Sequence, residues 1–211
     1  MDYGKNLQLP YISPNDVYYK RQLSTYAFNI HVLSSAESVF YLYPETEEKK
    51  GSDDVYSLVH HFMDNFLHPT VKHLDIFYDS CSGQEKNFTL FRFLYNFINM
   101  EEKLESIKVT FPARGHSSME CDKNMGLINS KAKAELAKDW FRIFEEARQN
   151  PSPFKEVEVN HDFFRKWTVF LDDMTERTLP ISAEKFSDLQ HLARFCTREA
   201  ADIYTAIKYN K

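Results

Sequence analysis

Apolar and polar residues alternate in the first part of the chain in the manner of β-strands. Residues 17–33 are rich in Tyr, Phe, Ile and Val, and Phe28, Ile30 and Val32 alternate with other residues near the end of this run. Residues 39–43 read Val-Phe-Tyr-Leu-Tyr, and five small or polar residues separate the two runs. Two such runs joined by a short polar connection predict a β-hairpin.

Helical spacing begins after the hairpin. Val55, Val59, Phe62 and Phe66 recur three or four residues apart, and Ser52 is a suitable N-cap for the helix that they predict. The same two periodicities predict strands at 73–78, 107–111 and 154–159 and helices at 84–100, 136–147 and 182–203, the last as a single element capped by Ser182.

This order of elements predicts an α/β fold. An antiparallel meander followed by β–α–β crossovers implies a mixed sheet with helices packed over it. The Pro-rich stretch at 150–153 is the best candidate for a boundary. We therefore expect a core over residues 1–160 and a C-terminal helical extension over residues 161–211.

Composition narrows the class of protein. The chain has 211 residues, of which 43% are hydrophobic, and its 18 Phe and 12 Tyr favour dense packing over disorder. A net charge of −5 argues against a nucleic-acid partner without excluding one, since local patches of charge matter more than the net charge. The chain has three cysteines, no apolar run that approaches the length of a membrane span and no signal-peptide pattern. We therefore expect an intracellular protein without a membrane partner.

The first segment that could carry chemistry follows the strand at 73–78. Asp79 stands at the carboxyl end of this strand, and Gly83 then allows the chain to turn into a helix. Ligand sites in open α/β sheets lie outside the carboxyl ends of strands, so Asp79 is a candidate ligand. The alternative is that Asp79 only caps the turn or the helix after it.

The second segment covers residues 114–122 and concentrates His116, Glu120 and Asp122 between a strand and a helical stretch. Mg²⁺ and Mn²⁺ prefer carboxylate oxygens, and two such ions can activate a nucleophile and stabilise a leaving oxygen in phosphodiester cleavage. Asp79 with Asp122 or Glu120 could supply part of that site, with His116 assisting proton transfer. The alternative is a solvated turn with Glu120 in the first turn of a helix.

Other chemistries have less support. Cys81, His116 and Cys121 could form a zinc set, but they lack the paired spacing of known zinc motifs. Cys81 with His116 could form a nucleophile pair, again without a known signature. Buried free cysteines are the commoner interpretation.

Four segments together resemble one family. They are MDYGKNLQLP at 1–10, NDVYYKRQL at 15–23, YDSCSGQEKN at 78–87 and GHSSMECD at 115–122, with GLI at 126–128. They are similar to a transposase-derived domain of unknown function that is widespread in animal genomes. The resemblance covers residues 1–160.

The resemblance implies a ribonuclease-H-like fold. In such a fold, acids on the first strand, on the fourth strand and near the next strand–helix junction bind two Mg²⁺ or Mn²⁺ ions for DNA strand cleavage and transfer. By position these acids are Asp2, Asp79 and Asp122, with Glu120 as an alternative third acid and His116 in the same motif.

Two hypotheses of different classes follow. The first is a divalent-metal-dependent nuclease or transposase-type core that acts on DNA, which places the protein in the nucleus. It includes a truncated or domesticated derivative, since relatives carry further sequence before the residue that corresponds to Met1. The second is a catalytically inactive module, derived from a transposase, that serves as an interaction or scaffold domain.

Overall fold

The computed structural model describes residues 1–12, 19–78, 88–99, 103–111, 119–131, 133–164 and 181–207. Its strands are β1 (Asp2–Tyr3), β2 (Leu7–Leu9), β3 (Leu23–Val32), β4 (Glu37–Pro44), β5 (His73–Phe77), β6 (Ser106–Thr110) and β7 (Lys155–Glu158). Its helices are α1 (Ser52–Asn65), α2 (Phe88–Asn99), α3 (Glu120–Lys131), α4 (Ala137–Ala147), α5 (Ala183–Ala193) and α6 (Arg198–Ala206), with a 3₁₀ turn at His161–Phe163.

The chain forms two compact units. The first contains Met1–Asp2, Lys49–Met119 and Asn160–Glu176, and the second contains Tyr3–Glu48, Glu120–Val159 and Arg177–Lys211. Both units combine strands with helices, so the expected α/β class is confirmed. The division into a core over 1–160 and an extension over 161–211 stays a prediction.

The sheet of the second unit is mixed. β3 pairs antiparallel with β2 and β4, and β4 pairs in parallel with β7. The predicted hairpin is confirmed as β3–β4, with Val32 opposite Glu37. Ala36 closes its turn with φ 57° and donates its backbone N–H to the Val32 carbonyl at 2.8 Å. This left-handed conformation is uncommon for a residue with a Cβ.

Aromatic rings fill the core of the second unit. The Phe40 ring meets Phe144 and Phe154 edge-on, with centroids 4.7 Å and 4.9 Å apart, a favoured geometry for aromatic pairs. These three rings join β4, α4 and the residue before β7 into one apolar cluster. The buried members from other elements include Leu9, Ala27, Ile128 and Leu189.

The first unit is built on a parallel pair of strands. β5 and β6 pair in register from His73–Ser106 to Phe77–Thr110, and α2 lies between them in the chain. α1 packs on α2 through the stacked rings of Tyr56 and Phe93, 5.3 Å apart. The helix start predicted at Ser52 is confirmed within one residue, because Gly51 is the N-cap and Asp54 accepts its backbone N–H at 2.7 Å.

The C-terminal part differs from the prediction of one helix over 182–203. Ser182 does cap α5, through its hydroxyl and the Lys185 N–H. The backbone N–H groups of Phe195 and Cys196 then bond three residues back, which tightens and ends the helix, and α6 begins separately at Arg198. A continuous apolar period had concealed this break.

Candidate functional site

The five predicted site residues are distributed over different parts of the chain. Asp79 and His116 lie outside the described residues. Asp2 lies in β1 and belongs to the first unit, whereas Glu120 and Asp122 open α3 in the second unit.

In the first unit, Asp2 lies next to a contact with β5. The Met1 amino group donates a hydrogen bond to the Phe77 carbonyl at 2.7 Å. Phe77 is the last residue of β5, and Asp79 follows it by two positions. The chain segment that carries Asp2 thus adjoins the end of β5 that leads to Asp79.

In the second unit, the two acids of α3 project to different sides. The helix buries Cys121, Asn124, Met125 and Ile128, whereas Asp122 is exposed. Two residues along a helix correspond to about 200°, so Glu120 and Asp122 do not share a face. The structure therefore does not bring these two carboxylates together.

Glu120 is ion-paired with its own helix. Lys123 Nζ lies 2.5 Å from Glu120 Oε1, one turn along α3, and this hydrogen bond is the main reason that the pKa of Glu120 is lowered. The side chain of Glu120 is 41% exposed, so the pair contributes little to stability but keeps the carboxylate ionised.

The described residues do not form a metal centre by themselves. Among them, no three His, Cys, Asp or Glu side chains are close enough to hold one ion. Carboxylates are the correct donors for Mg²⁺ or Mn²⁺, and Asp2, Asp122 and Glu120 supply this chemistry, but a complete set needs Asp79 as well. Of the alternative zinc set, Cys121 is buried and its thiol donates to the Asn29 carbonyl at 3.5 Å, while Cys81 and His116 lie outside the described residues.

Sequence analysis did not predict a buried polar network that joins α3 to the β3–β4 hairpin. Asn124 on α3 donates through Nδ2 to Asn29 Oδ1 at 3.1 Å and to Ser38 Oγ at 3.0 Å. Asn29 in turn donates to the Val39 carbonyl at 3.1 Å. These three polar side chains are almost fully buried, so the network ties α3 to the β3–β4 hairpin. The available signal was one polar residue, Asn124, in the apolar stripe of a helix.

Arg148, just after α4, completes this network. Its guanidinium donates to Asn124 Oδ1 at 3.4 Å, to the Ala36 carbonyl at 3.1 Å and to the Ser152 carbonyl at 2.8 Å. It also lies 4.3 Å from the Phe154 ring centroid, a cation–π contact. Within the described part of the chain no carboxylate pairs with it, and burial lowers its pKa. Backbone carbonyls and an amide oxygen therefore solvate this cation.

His31 on β3 lies at the outer end of the network. Its Nδ1 is 2.8 Å from Ser38 Oγ. Burial lowers the pKa of the ring, the charge of Glu120 raises it, and Arg148 and Lys123 lower it, so the imidazole and the Glu120 carboxylate are near enough to influence one another. Lowered below its ordinary value of 6.5, this pKa leaves the ring neutral at pH 7.

No helix in the described ranges has the length and apolar character needed to cross a membrane. Comparison of the chain with protein-family models, with curated proteins and with solved structures gave no match.

Proposed function

We propose that the chain is a divalent-metal-dependent nuclease or transposase-type core that acts on DNA phosphodiesters, on a ribonuclease-H-like α/β fold. Asp2, Asp79 and Asp122 would hold Mg²⁺ or Mn²⁺, with Glu120 as the alternative to Asp122 and His116 assisting. When bound, two such ions supply Lewis acidity and an activated water. The protein's own residues would hold and orient the ions through their carboxylates.

The hydrogen bond from Met1 to the Phe77 carbonyl carries this proposal. Asp2 adjoins Met1 in sequence, and covalent geometry limits the Cα separation of Asp79 from Phe77 to about 7 Å. Asp2 and Asp79 are thus each within two residues of this hydrogen bond. Two carboxylates brought close together would repel each other, and a bound cation would relieve that repulsion.

The strand directions support the fold part of the proposal. The second unit contains antiparallel strands β2, β3 and β4, and the first contains the parallel pair β5 and β6 joined through α2. A meander followed by β–α–β crossovers is the order that the ribonuclease-H-like resemblance implies. The third acid, on α3, rests on that resemblance and on its carboxylate chemistry.

The test is nicking of supercoiled DNA by the purified chain in the presence of Mn²⁺. Asp79→Asn removes the charge of the central ligand and keeps its size. Asp75→Asn is the matched control, because Asp75 is exposed on β5 within the same unit. Asp79→Asn should reduce the nicking rate by more than about 100-fold, because the loss of a metal ligand should exceed the loss of a residue that only supports a ligand. Asp75→Asn should leave the nicking rate unchanged.

Equal nicking by the wild type and Asp79→Asn would overturn the catalytic proposal. Binding of Mn²⁺, measured by calorimetry, gives a second readout: Asp2→Asn and Asp79→Asn should each weaken it. A wild type that neither nicks DNA nor binds Mn²⁺ would support the alternative below.

The alternative function is an inactive, transposase-derived interaction or scaffold module. The ion pair of Glu120 with Lys123 favours it, because that carboxylate is already neutralised within its own helix. The net charge of −5 also gives no general attraction for DNA. Such a module would keep the fold and its buried network without any dependence on metal.

A further inference from the structure

The polar network of the second unit has a fixed hydrogen-bond direction, and it begins at Arg148. A guanidinium has donors only, so the Asn124 atom that faces it must be the amide oxygen. The Asn124 Nδ2 group therefore points the other way, and both of its hydrogens are used, one by Asn29 Oδ1 and one by Ser38 Oγ. Asn29 is oriented independently, because its own Nδ2 donates to the Val39 carbonyl.

The Ser38 hydroxyl extends this hydrogen-bond direction to His31. Its hydroxyl oxygen accepts from Asn124, which leaves one hydrogen to donate. Ser38 is fully buried, and His31 Nδ1 is the only other hydrogen-bond partner of this hydroxyl among the described residues. If His31 Nδ1 carried a hydrogen, the buried Ser38 hydroxyl would have no acceptor. The network thus favours an Nδ1 that accepts, and the ring hydrogen then lies on Nε2.

Glu120 is a candidate acceptor for the hydrogen on His31 Nε2. Glu120 is the first residue of α3, and Asn124, one turn further along the same helix, holds that helix against the strand that carries His31. His31 and Glu120 are close enough for their charges to influence one another, although no hydrogen bond joins them, and Nε2 of His31 is not bonded to any other described residue. An N–H on that atom is a donor suited to a carboxylate, and carboxylates that bind metals are commonly oriented by such donors.

We propose that the chain Arg148–Asn124–Ser38 locks His31 as a neutral imidazole with its hydrogen on Nε2, and that His31 is a positioning residue for the Glu120 carboxylate. The link to Glu120 as a metal ligand rests on the proposed function, whereas the locked tautomer does not. His31 orients the carboxylate and takes no part in bond making.

The first experiment reads the tautomer directly. Two-bond ¹H–¹⁵N correlation spectra of the ¹⁵N-labelled full chain at pH 7.5 distinguish a protonated Nε2 from a protonated Nδ1. We expect a protonated Nε2 and a bare Nδ1 for His31 in the wild type, and a mixture of both forms in Ser38→Ala. A His31 signal of mixed tautomers in the wild type, or one that Ser38→Ala leaves unchanged, would overturn the proposal, and neither result depends on nuclease activity.

The second experiment tests the contact with Glu120. Glu120→Gln should move the His31 Nε2 resonance, whereas Asp122→Asn, on the other side of α3, should not. Equal responses to the two changes would contradict the assignment of His31 to Glu120.

The third experiment addresses the metal. In the Mn²⁺ dependence of DNA nicking, His31→Leu should raise the half-saturating Mn²⁺ concentration by about 10–100-fold, the usual effect of losing such a donor. His31→Gln, which keeps an N–H donor, should recover most of that loss. A fall in maximal rate without a change in Mn²⁺ dependence would contradict the positioning role, and a locked tautomer in a protein without nicking would contradict only the proposed function.

Discussion

Gly4 lies directly against the side chain of Met125 on α3. A Cβ built on Gly4 would be 2.6 Å from Met125 Sδ, well inside van der Waals contact. The backbone N–H of Gly4 also donates to the Ala27 carbonyl at 2.9 Å, which fixes the chain at this position. A side chain at position 4 would therefore require the Met125 side chain to move.

We predict opposite effects for alanine at two glycines. Gly4→Ala should lower the free energy of unfolding by about 1–3 kcal/mol, because the added methyl group forces Met125 to move within a packed core. Gly126→Ala should raise it by about 1 kcal/mol, because Gly126 lies within α3 and its Cβ would meet nothing within 4 Å. Urea denaturation of the two variants measures both effects.

A double variant separates the clash from other causes. In a Met125→Ala background, Gly4→Ala should cost less than about 0.5 kcal/mol, since the obstructing side chain is gone. A cost that stays the same in both backgrounds would show that the Gly4 backbone, and not Met125, sets the limit.

The sequence predicted the elements whose periodicity is regular. The β3–β4 hairpin and α1 follow patterns that local physics determines, and β4 and the start of α1 were predicted within two residues. The first run was predicted from residue 17, whereas β3 begins at Leu23. α3 was predicted only as a turn or helix entry near Asp122, because its buried stripe contains the polar residue Asn124 and so lacks a clear apolar period.

The candidate site was predictable to a different degree. Asp79, Glu120 and Asp122 were found from their positions after strands, and Asp2 only from the resemblance. The partners of Asn124 lie 86 and 95 residues away in sequence, at Ser38 and Asn29. No local pattern reports such contacts, because they exist only once the helix has packed on the hairpin. The break between α5 and α6 was missed for a related reason, since the Thr197 N–H bonds to the distant Glu135 carboxylate at 2.9 Å.

We predict that Arg148 is a major contributor to stability. Arg148→Met should lower the free energy of unfolding by about 2–3 kcal/mol, because it leaves the buried carbonyl of Ala36 and the amide oxygen of Asn124 without their charged donor. Arg148→Lys should give an intermediate loss, since an ammonium cannot reproduce the planar fork or the stacking on Phe154. Thermal and urea denaturation measure both losses.

The matched control for these variants is Arg142→Met. Arg142 is exposed on α4, and surface changes of this kind are usually worth less than about 0.5 kcal/mol. Losses of similar size at positions 142 and 148 would mean that the buried contacts of Arg148 contribute no more than an exposed charge.

Another prediction concerns Ala36 in the turn of the β3–β4 hairpin. Ala36→Gly should raise the free energy of unfolding by about 1 kcal/mol, because the turn holds φ at 57°, where glycine has no penalty from a Cβ. As a control, Ala201→Gly within α6 should have the opposite effect and lower the free energy of unfolding by about 1 kcal/mol. Destabilisation by Ala36→Gly would indicate that the methyl group makes contacts worth more than the backbone strain.

The last prediction is a pH dependence that arises from Glu156 on β7. Burial is the main cause that raises the pKa of this carboxyl to about 7, and the charge of Glu145 adds to it. Its Oε1 atom is buried without a hydrogen-bond partner among the described residues, which agrees with a proton held on the group.

The direction of the effect follows from the two pKa values. The unfolded chain loses the Glu156 proton near its ordinary pKa of 4.5, whereas the folded chain keeps it until about pH 7. The unfolded state therefore binds fewer protons between these values, so this group lowers stability as the pH rises from about 4.5 to 7, after which its effect is constant. Below pH 4.5 both states are protonated and the group has no effect.

Glu156→Gln should remove this penalty. At pH 8 the variant should be more stable than the wild type by about 1 kcal/mol, because water partly screens the charge of this partly exposed group, and at pH 4 the two should be equal. Urea denaturation at both pH values measures the difference, and Glu158→Gln, at an exposed position of the same strand, should show no such change with pH. A Glu156→Gln effect of the same size at pH 4 and pH 8 would mean that Glu156 is ionised or protonated alike in the folded and unfolded chains.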